Sequence, residues 1–210
     1  MSDTEAARGR RYWERHAARY DRSMRVLGGP LPRMLELVAQ EVRGAGEVLE
    51  VAAGTGIVTT AIAPVVGSVV ATDYADAMVR LLRDRVRADG LGNVECVERD
   101  VYALGMPPRS FDAVVCANVL HLLPDLEAAL RALRAVLRPG GTLVAPTYAH
   151  DETRTSRLVS RVLGATGFPG ARRFTAASLS ADISAVGFEV RRTELIPGLI
   201  PVAFVAATAP

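Results

Sequence analysis

The sequence predicts an α/β protein with an open, doubly wound and mostly parallel sheet. Apolar stretches of strand length alternate with segments of helical periodicity through most of the chain. The strand-like stretches are almost continuously apolar, as is typical of parallel strands covered by helices on both faces. Near the end of the chain two strand-like stretches follow each other without a helix between them. That arrangement predicts an antiparallel pair at one end of the sheet.

These patterns predict seven strands and five helices. We expect strands at residues 46–52, 68–73, 93–98, 111–119, 142–148, 187–195 and 198–208. We expect helices at residues 57–63, 76–89, 126–137, 156–163 and 175–186. The third of these helices is followed by "RPGG", a proline and glycine stop signal.

The composition excludes some classes of functional site and indicates where the protein acts. The chain has 210 residues, half of them hydrophobic, which is a single-domain length with enough apolar material for a core. All 25 basic residues are arginine, so neither a P-loop lysine nor a Schiff-base lysine is present. The N-terminus is polar and charged, unlike a secretory signal, and Cys96 and Cys116 lie in apolar stretches as expected for buried free thiols. We therefore expect a cytoplasmic protein.

A glycine turn follows the first strand, in the stretch "EVAAGTGIVTTA" at residues 50–61. Gly54 and Gly56 fit the start of a dinucleotide-binding fingerprint, but Thr59 stands where that fingerprint has a small residue. Glu50 precedes the turn, and an acid there would repel phosphate and suit a cationic group. The turn therefore favours a ligand without phosphates.

Three further polar side chains end neighbouring strands. Asp73 ends the second strand and is placed to accept hydrogen bonds from a ribose diol, although it could instead cap the next helix. Asp100 and Asn118 end the third and fourth strands. Open α/β sheets bind ligands at the carboxyl ends of their strands. The predicted ligand has a ribose, an amine-bearing base and a cationic portion.

These motifs, in this order, resemble the class I S-adenosylmethionine (SAM)-dependent methyltransferases, in particular their ubiquinone/menaquinone-biosynthesis-like branch that acts on small molecules and lipids. The resemblance extends from "RYWERHAARYDRSM" through "VLEVAAGTGIVT", "VVATDYADAMV", "ERDVYAL" and "FDAVVCANVLHLLPD" to "LRAVLRPGGTLV". It implies a Rossmann-like sheet of seven strands with an antiparallel C-terminal strand. It also implies residues 44–210 as the core and residues 1–43 as a helical lid.

The resemblance also implies SAM as cofactor, with S-adenosyl-L-homocysteine as product. No metal is expected, because neither His121 nor His150 has a second histidine or cysteine at metal-ligand spacing. The implied cofactor-binding residues are Glu50, Ala53, Gly54, Gly56, Asp73, Tyr74, Met78, Asp100, Val101 and Asn118. Glu50 and the glycine turn would surround the methionine portion, Asp73 would hold the ribose, and Tyr74, Met78, Asp100 and Val101 would surround adenine. One departure is Ala52, where the family often has glycine.

Methyl transfer requires mainly an aligned acceptor, and a base only when the acceptor must lose a proton. The candidate catalytic residues, which could act as that base, are His121, Tyr20, His150 and Tyr148. Arg172, Arg173, Phe168 and Phe174 are candidate acceptor-pocket residues. The amphipathic segment near the N-terminus would roof the site, and its arginines suggest a transient contact with an anionic membrane surface as an alternative role.

The sequence therefore predicts a SAM-dependent methyltransferase acting on a small organic or lipid-like acceptor. A phospholipid head group and an aromatic or quinone-precursor compound are both compatible with it. Nucleic acid is not expected, because no Asn/Asp-Pro-Pro-aromatic motif ends the fourth strand. An NAD-type oxidoreductase and a non-catalytic SAM-binding regulatory protein remain as alternatives. The oligomeric state, the acceptor and the methylated atom remain open.

Overall fold

The computed structural model describes residues 29–165 and 170–210, together with Tyr12. Its helices are α1 (Leu31–Val42), α2 (Ile57–Ile62), α3 (Asp76–Ala88), α4 (Leu126–Val136), α5 (Arg154–Ala165) and α6 (Ala176–Ala185). Its strands are β1 (Glu47–Val51), β2 (Ser68–Asp73), β3 (Val94–Glu98), β4 (Phe111–Val115), β5 (Leu137–Val144), β6 (Thr147–Tyr148), β7 (Glu189–Ile196) and β8 (Val202–Thr208).

All eight strands form one mixed sheet. The order is β3-β2-β1-β4-β5-β8, with β7 and the short β6 both paired to β8. Strands β1 to β5 pair with one another in parallel, and β8 runs antiparallel to β5, β6 and β7. The strand order reverses at β1: β2 and β3 lie on one side of β1, and β4 and β5 lie on the other. The predicted doubly wound α/β fold is confirmed, including its antiparallel C-terminal end.

The strand count differs from the prediction at one place. The predicted strand at residues 142–148 is divided into β5 and β6, and Pro146, which has no N–H to donate to the sheet, lies between them. Strand β5 also begins earlier than predicted, at Leu137, so the "RPGG" segment lies inside the strand and not in a loop before it. The preceding helix α4 begins after Asp125, whose side chain accepts a hydrogen bond from the N–H of Ala128 at 3.0 Å.

Helices cover both faces of the sheet and create two apolar layers. One layer packs α4 and α6 against the strands, through residues such as Leu130, Leu133 and Leu179. The other packs α1, α2 and α3 against the opposite face, through Leu37, Ile62 and Leu82 among others. This two-sided burial explains the nearly continuous hydrophobicity of the strands.

Two sequence expectations can be compared with the described residues. Cys116 is fully buried as predicted, but Cys96 is only half-buried, because it lies on the outer strand β3. Among the described helices, none is both long enough and apolar enough to cross a membrane.

Candidate active site

The candidate site lies at the carboxyl edge of the central strands. Glu50 near the end of β1 is level with Ala71 of β2 and with Val115 of β4, and all three strands are parallel. The chain segments that follow these strands therefore meet at one edge, at the point where the strand order reverses. A cavity at this edge is lined by Leu31, Met34, Glu50, Ala52, Ala53, Thr55, Ile57, Val58, Ala117 and Asn118.

The loop after β1 is tight and uses left-handed backbone conformations. Ala52, Gly54 and Gly56 have φ angles of 52°, 57° and 86°. Glycine adopts such angles at no steric cost, whereas alanine at position 52 carries backbone strain on the order of 1 kcal/mol. The departure from glycine at Ala52 therefore leaves the loop geometry intact at a small energetic cost.

Glu50 is a buried carboxyl at the floor of this loop, with 1% of its surface exposed. Burial raises its pKa to about 8, the hydrogen bond from Thr59 opposes the rise, and the nearby Asp73 charge adds to it. Thr59 Oγ1 donates that hydrogen bond over 2.6 Å to Glu50 Oε2. With this raised pKa the carboxyl of Glu50 is largely protonated at pH 7. A positive charge nearby stabilises the ionised form, so the buried acid favours a cationic ligand.

Asp73 at the end of β2 connects two loops. Its Oδ2 accepts from the N–H of Gly54, and its Oδ1 accepts from the N–H of Ala75, both at 2.9 Å. Helix α3 has Ala75 at its N-cap and no side-chain cap, so Asp73 does not play the capping role considered above. The contact of Asp73 with a ribose hydroxyl stays a prediction.

Asn118 approaches the same cavity from the segment after β4. Its backbone has a φ of 53°, and its N–H donates to the carbonyl of Pro146 at 2.7 Å. The side-chain nitrogen lies 3.7 Å from the sulfur of Met34 on α1. The side-chain oxygen Oδ1 is buried and has no hydrogen-bond partner within the part of the chain that the structure describes. Such an oxygen in a native structure calls for a donor from a ligand or a water.

The residues predicted to surround adenine lie beside α3 and after β3. Met78 is buried and packs with Tyr74 and Ala75. Asp100 Oδ1 accepts from the N–H of Tyr102 at 3.0 Å. Val101 is half-buried and packs on the core layer that contains α4. Their contact with adenine stays a prediction.

Three of the four candidate catalytic residues lie together. The rings of His121 and His150 are 5.2 Å apart between centroids, and Tyr148 lies 6.0 Å and 6.1 Å from them. His121 follows β4 and the other two follow β5, so this ring cluster lies at the same edge of the sheet as the glycine turn. Tyr20 lies outside the described residues.

Burial keeps the ring cluster uncharged near pH 7. It lowers the pKa of His121 to about 3, with a further decrease from the proximity of His150. It lowers the pKa of His150 and raises that of Tyr148 to about 12. His121 Nδ1 is 3.0 Å from Thr147 Oγ1, and His150 Nδ1 is 2.6 Å from Ser160 Oγ.

The comparisons with known proteins agree with this geometry. Residues 48–141 match the family model described as "Methyltransferase domain". The chain belongs to the class I SAM-dependent methyltransferases. It is 39% identical over 135 residues to the ubiquinone/menaquinone biosynthesis C-methyltransferase of Ectopseudomonas mendocina, a match covering 61% of this chain and 53% of the relative.

The corresponding C-methyltransferase of Pseudomonas putida strain F1 is 34% identical over 159 residues, a match covering 72% of this chain and 61% of the relative. The chain thus spans between half and two thirds of the length of these relatives. Among solved structures, the DhpI–SAH complex has a TM-score of 0.75 at 24% identity, covering 99% of this chain and 97% of that one. A SAM-dependent methyltransferase from Aquifex aeolicus has a TM-score of 0.69 at 21% identity, covering 84% and 89%. These two likenesses show the fold.

The residues of this chain fit the cofactor of its family. SAM carries an ammonium group, a sulfonium and a ribose diol. Glu50, with its raised pKa, suits the cationic portion of SAM. Asn118 Oδ1, which lacks a partner among the described residues, could accept a hydrogen bond from the cofactor. The left-handed loop lets backbone N–H groups come close to a ligand carboxylate. When bound, the cofactor supplies an electrophilic methyl group.

The predicted pocket residues have mixed outcomes. Arg172 does not reach toward the site, because its guanidinium donates to the carbonyls of Leu123 and Pro124. Phe174 is buried in the core layer that contains α4 and α6, and Arg173 is exposed. Phe168 lies outside the described residues. Within the described part of the chain, no group of three or more His, Cys, Asp or Glu side chains could hold a metal ion.

The sequence analysis missed four residues that shape the site. Thr59 was interpreted only as a departure from the dinucleotide fingerprint, yet it holds Glu50. Met34 reaches the cavity from α1, while Thr147 and Ser160 bond the two histidines. The buried serine of α5 carried a signal, since an amphipathic helix normally buries apolar residues.

Proposed function

We propose that this chain transfers a methyl group from SAM to a small aromatic acceptor of the quinone-precursor type. The observation that carries the proposal is the ring cluster of His121, Tyr148 and His150 at the same sheet edge as the glycine turn. The printed names of the two relatives, both C-methyltransferases of ubiquinone and menaquinone biosynthesis, support a ring carbon as the methylated atom.

The chemistry requires little beyond position. In-line displacement from a sulfonium needs the acceptor atom about 3 Å from the methyl carbon and aligned with the leaving group. Glu50, Asp73 and Asn118 would hold the cofactor, and the ring cluster would form one wall for the acceptor. Aromatic and imidazole rings pack well against a planar acceptor in edge or offset arrangements.

A phospholipid head group, which the sequence also allowed, has less support. Arg172 was one of its expected anchors, and that guanidinium is occupied by two backbone carbonyls. An NAD-type oxidoreductase also has less support, because Thr59, which donates to Glu50, stands where a dinucleotide fingerprint has a small residue. A regulatory protein that binds SAM without turnover is separated from an enzyme by an activity assay.

A labelled-methyl transfer assay tests the proposal. The protein is incubated with methyl-labelled SAM and, separately, with a hydroquinone, a catechol, a small amine and phosphatidylethanolamine vesicles. We expect label in the ring compounds and a strong decrease of that label in Asp73→Ala. Label only in the vesicles would overturn the aromatic acceptor, and SAM binding without label in any sample would favour the regulatory protein.

A further inference from the structure

One ring nitrogen of His150 has a hydrogen-bond partner, and the other has none among the described residues. The residue follows β6 and has 6% of its surface exposed. Nδ1 lies 2.6 Å from Ser160 Oγ on α5, whereas Nε2 is buried and has no hydrogen-bond partner among the described residues. Leaving a buried polar atom unpaired costs free energy, and a ligand that pairs with it recovers that cost. Nε2 is therefore a place where a ligand gains affinity.

Ser160 determines which nitrogen of His150 carries the proton. The hydroxyl of Ser160 donates to the carbonyl of Ser156 at 2.7 Å, one helical turn earlier. The carbonyl of His150 itself, at 3.5 Å, is the other acceptor in reach. When the single hydroxyl proton is donated to either carbonyl, Ser160 Oγ accepts from His150 and Nδ1 carries the hydrogen. Nε2 then presents a lone pair.

The surroundings of His150 keep this lone pair available. Burial lowers the pKa of His150, and the positive charge of Arg173 lowers it further. The other titratable groups that face the ring are His121, with a pKa of about 3, and Tyr148, with a pKa of about 12. Both are neutral at pH 7, so no carboxylate among these groups stabilises an imidazolium. The resting ring is a neutral hydrogen-bond acceptor.

We propose that His150 Nε2 accepts the hydroxyl proton of the methyl acceptor, and that Ser160 is the positioning residue that holds His150 in the required tautomer. This inference rests on the proposed function and narrows its acceptor to a phenol or an enol. A carboxylate has no proton to donate to Nε2. An ammonium group is disfavoured by the Arg173 charge, which instead stabilises an acceptor that becomes anionic.

The step balances for a phenol methylated on the ring. The hydroxyl proton moves to His150 Nε2, and the O–H electron pair stays on the phenolate oxygen. A ring carbon then forms its bond to the methyl group while the methyl–sulfur bond breaks, and the sulfur keeps that electron pair. The same carbon loses its hydrogen to water as a proton, and His150 returns its own proton to the oxygen.

The tautomer is testable on the wild-type protein without any ligand. The chain has three histidines, so a long-range ¹H–¹⁵N spectrum of their imidazoles is simple to assign. We expect His150 as the Nδ1–H tautomer in the wild type and a shift toward Nε2–H in Ser160→Ala. Ser180→Ala is the matched control, since Ser180 makes the same hydroxyl-to-carbonyl bond on α6 at 3.0 Å. An Nε2–H tautomer in the wild type would overturn the proposal, whether or not the variants fold.

Activity separates the failure of this inference from that of the proposed function. With a hydroquinone acceptor, kcat should fall about 10-fold in Ser160→Ala and at least about 100-fold in His150→Asn, with little change in KM and none in Ser180→Ala. The wild-type rate should decrease below the lowered pKa of His150. Ring methylation that is as fast in both variants as in the wild type would overturn the inference and leave the function standing. A wild type that methylates nothing would refute the function, while its spectrum still decides the tautomer.

Discussion

The hydroxyl of Thr59 lies 2.6 Å from the carboxylate of Glu50, and both side chains are buried. Thr59 occupies the position where a dinucleotide fingerprint requires a small residue for close packing of helix and strand. Here the larger side chain is used to hold the acid at the floor of the glycine turn. The threonine at position 59 thus explains both the poor match to a pyrophosphate site and how a buried acid is held there.

Removing this bond should destabilise the protein and raise the pKa of Glu50 further. Thr59→Val keeps the shape but leaves the carboxyl without its donor, so we expect a loss of about 1 to 2 kcal/mol in the free energy of unfolding. Urea denaturation measures this loss. Thr60→Val is the control, because Thr60 Oγ1 donates only to the carbonyl of Ile57 on the same helix. Equal losses in the two variants would contradict the role given to Thr59.

Glu50 should make stability decrease with rising pH. Its pKa in the folded protein is about 8, above the ordinary value of 4.5. A carboxyl group whose pKa is raised on folding adds to the free energy of unfolding. The full contribution is present below about pH 4.5 and is lost as pH rises through 8. The difference in unfolding free energy between wild type and Glu50→Gln should therefore change by at least about 1 kcal/mol over this window. A constant difference would show that Glu50 is ionised in the fold at all these pH values.

Gly56 should tolerate alanine less well than Gly44 does. Both have positive φ angles, 86° and 80°, so in both variants an alanine in the left-handed conformation lowers the free energy of unfolding. A Cβ at Gly56 would also meet the buried Leu82 Cδ1 at 2.7 Å, whereas nothing lies within 4 Å at Gly44. We expect Gly44→Ala to cost about 1 kcal/mol and Gly56→Ala at least about 1 kcal/mol more. Thermal unfolding of the two variants provides the comparison.

Asn118 should matter for cofactor binding more than for stability. Asn118→Gly relieves the positive φ and removes the unpartnered Oδ1, so we expect unfolding free energy to change by less than about 1 kcal/mol. The Kd for SAM should rise about 10-fold, as expected for one lost hydrogen bond to a charged group. The control is Arg109→Gly, at an exposed position with a φ of 56°. An unchanged Kd in Asn118→Gly would remove this residue from the site.

The N-terminal segment should contribute to turnover. If residues 1–25 form the predicted lid, their deletion should reduce methyl transfer well below the wild-type rate while the Kd for SAM changes little. Calorimetry and the labelled-methyl assay give the two readouts. Full activity of the shortened protein would show that this segment is not the lid.

The fold class and the edge of the sheet that carries the candidate site could be predicted because both follow from local signals. Strands of β-branched residues, the Gly54 turn and a polar residue at the end of each of the first four strands are visible in the sequence. The bonds that hold the site were not visible. The pairs of Thr59 with Glu50 and of Ser160 with His150 join residues on different elements, and their meeting depends on packing. Pro146 did signal the interruption of the predicted fifth strand, and the sequence analysis did not use it.

Calorimetric titration with SAM and with NAD⁺ tests the central claim most directly. The claim is that Glu50, Asp73 and Asn118 form a site for a cationic, ribose-containing cofactor. We expect saturable binding of SAM, no detectable binding of NAD⁺, and a SAM affinity reduced at least about 10-fold in Asp73→Ala. Absence of SAM binding, or tighter binding of NAD⁺, would contradict the account.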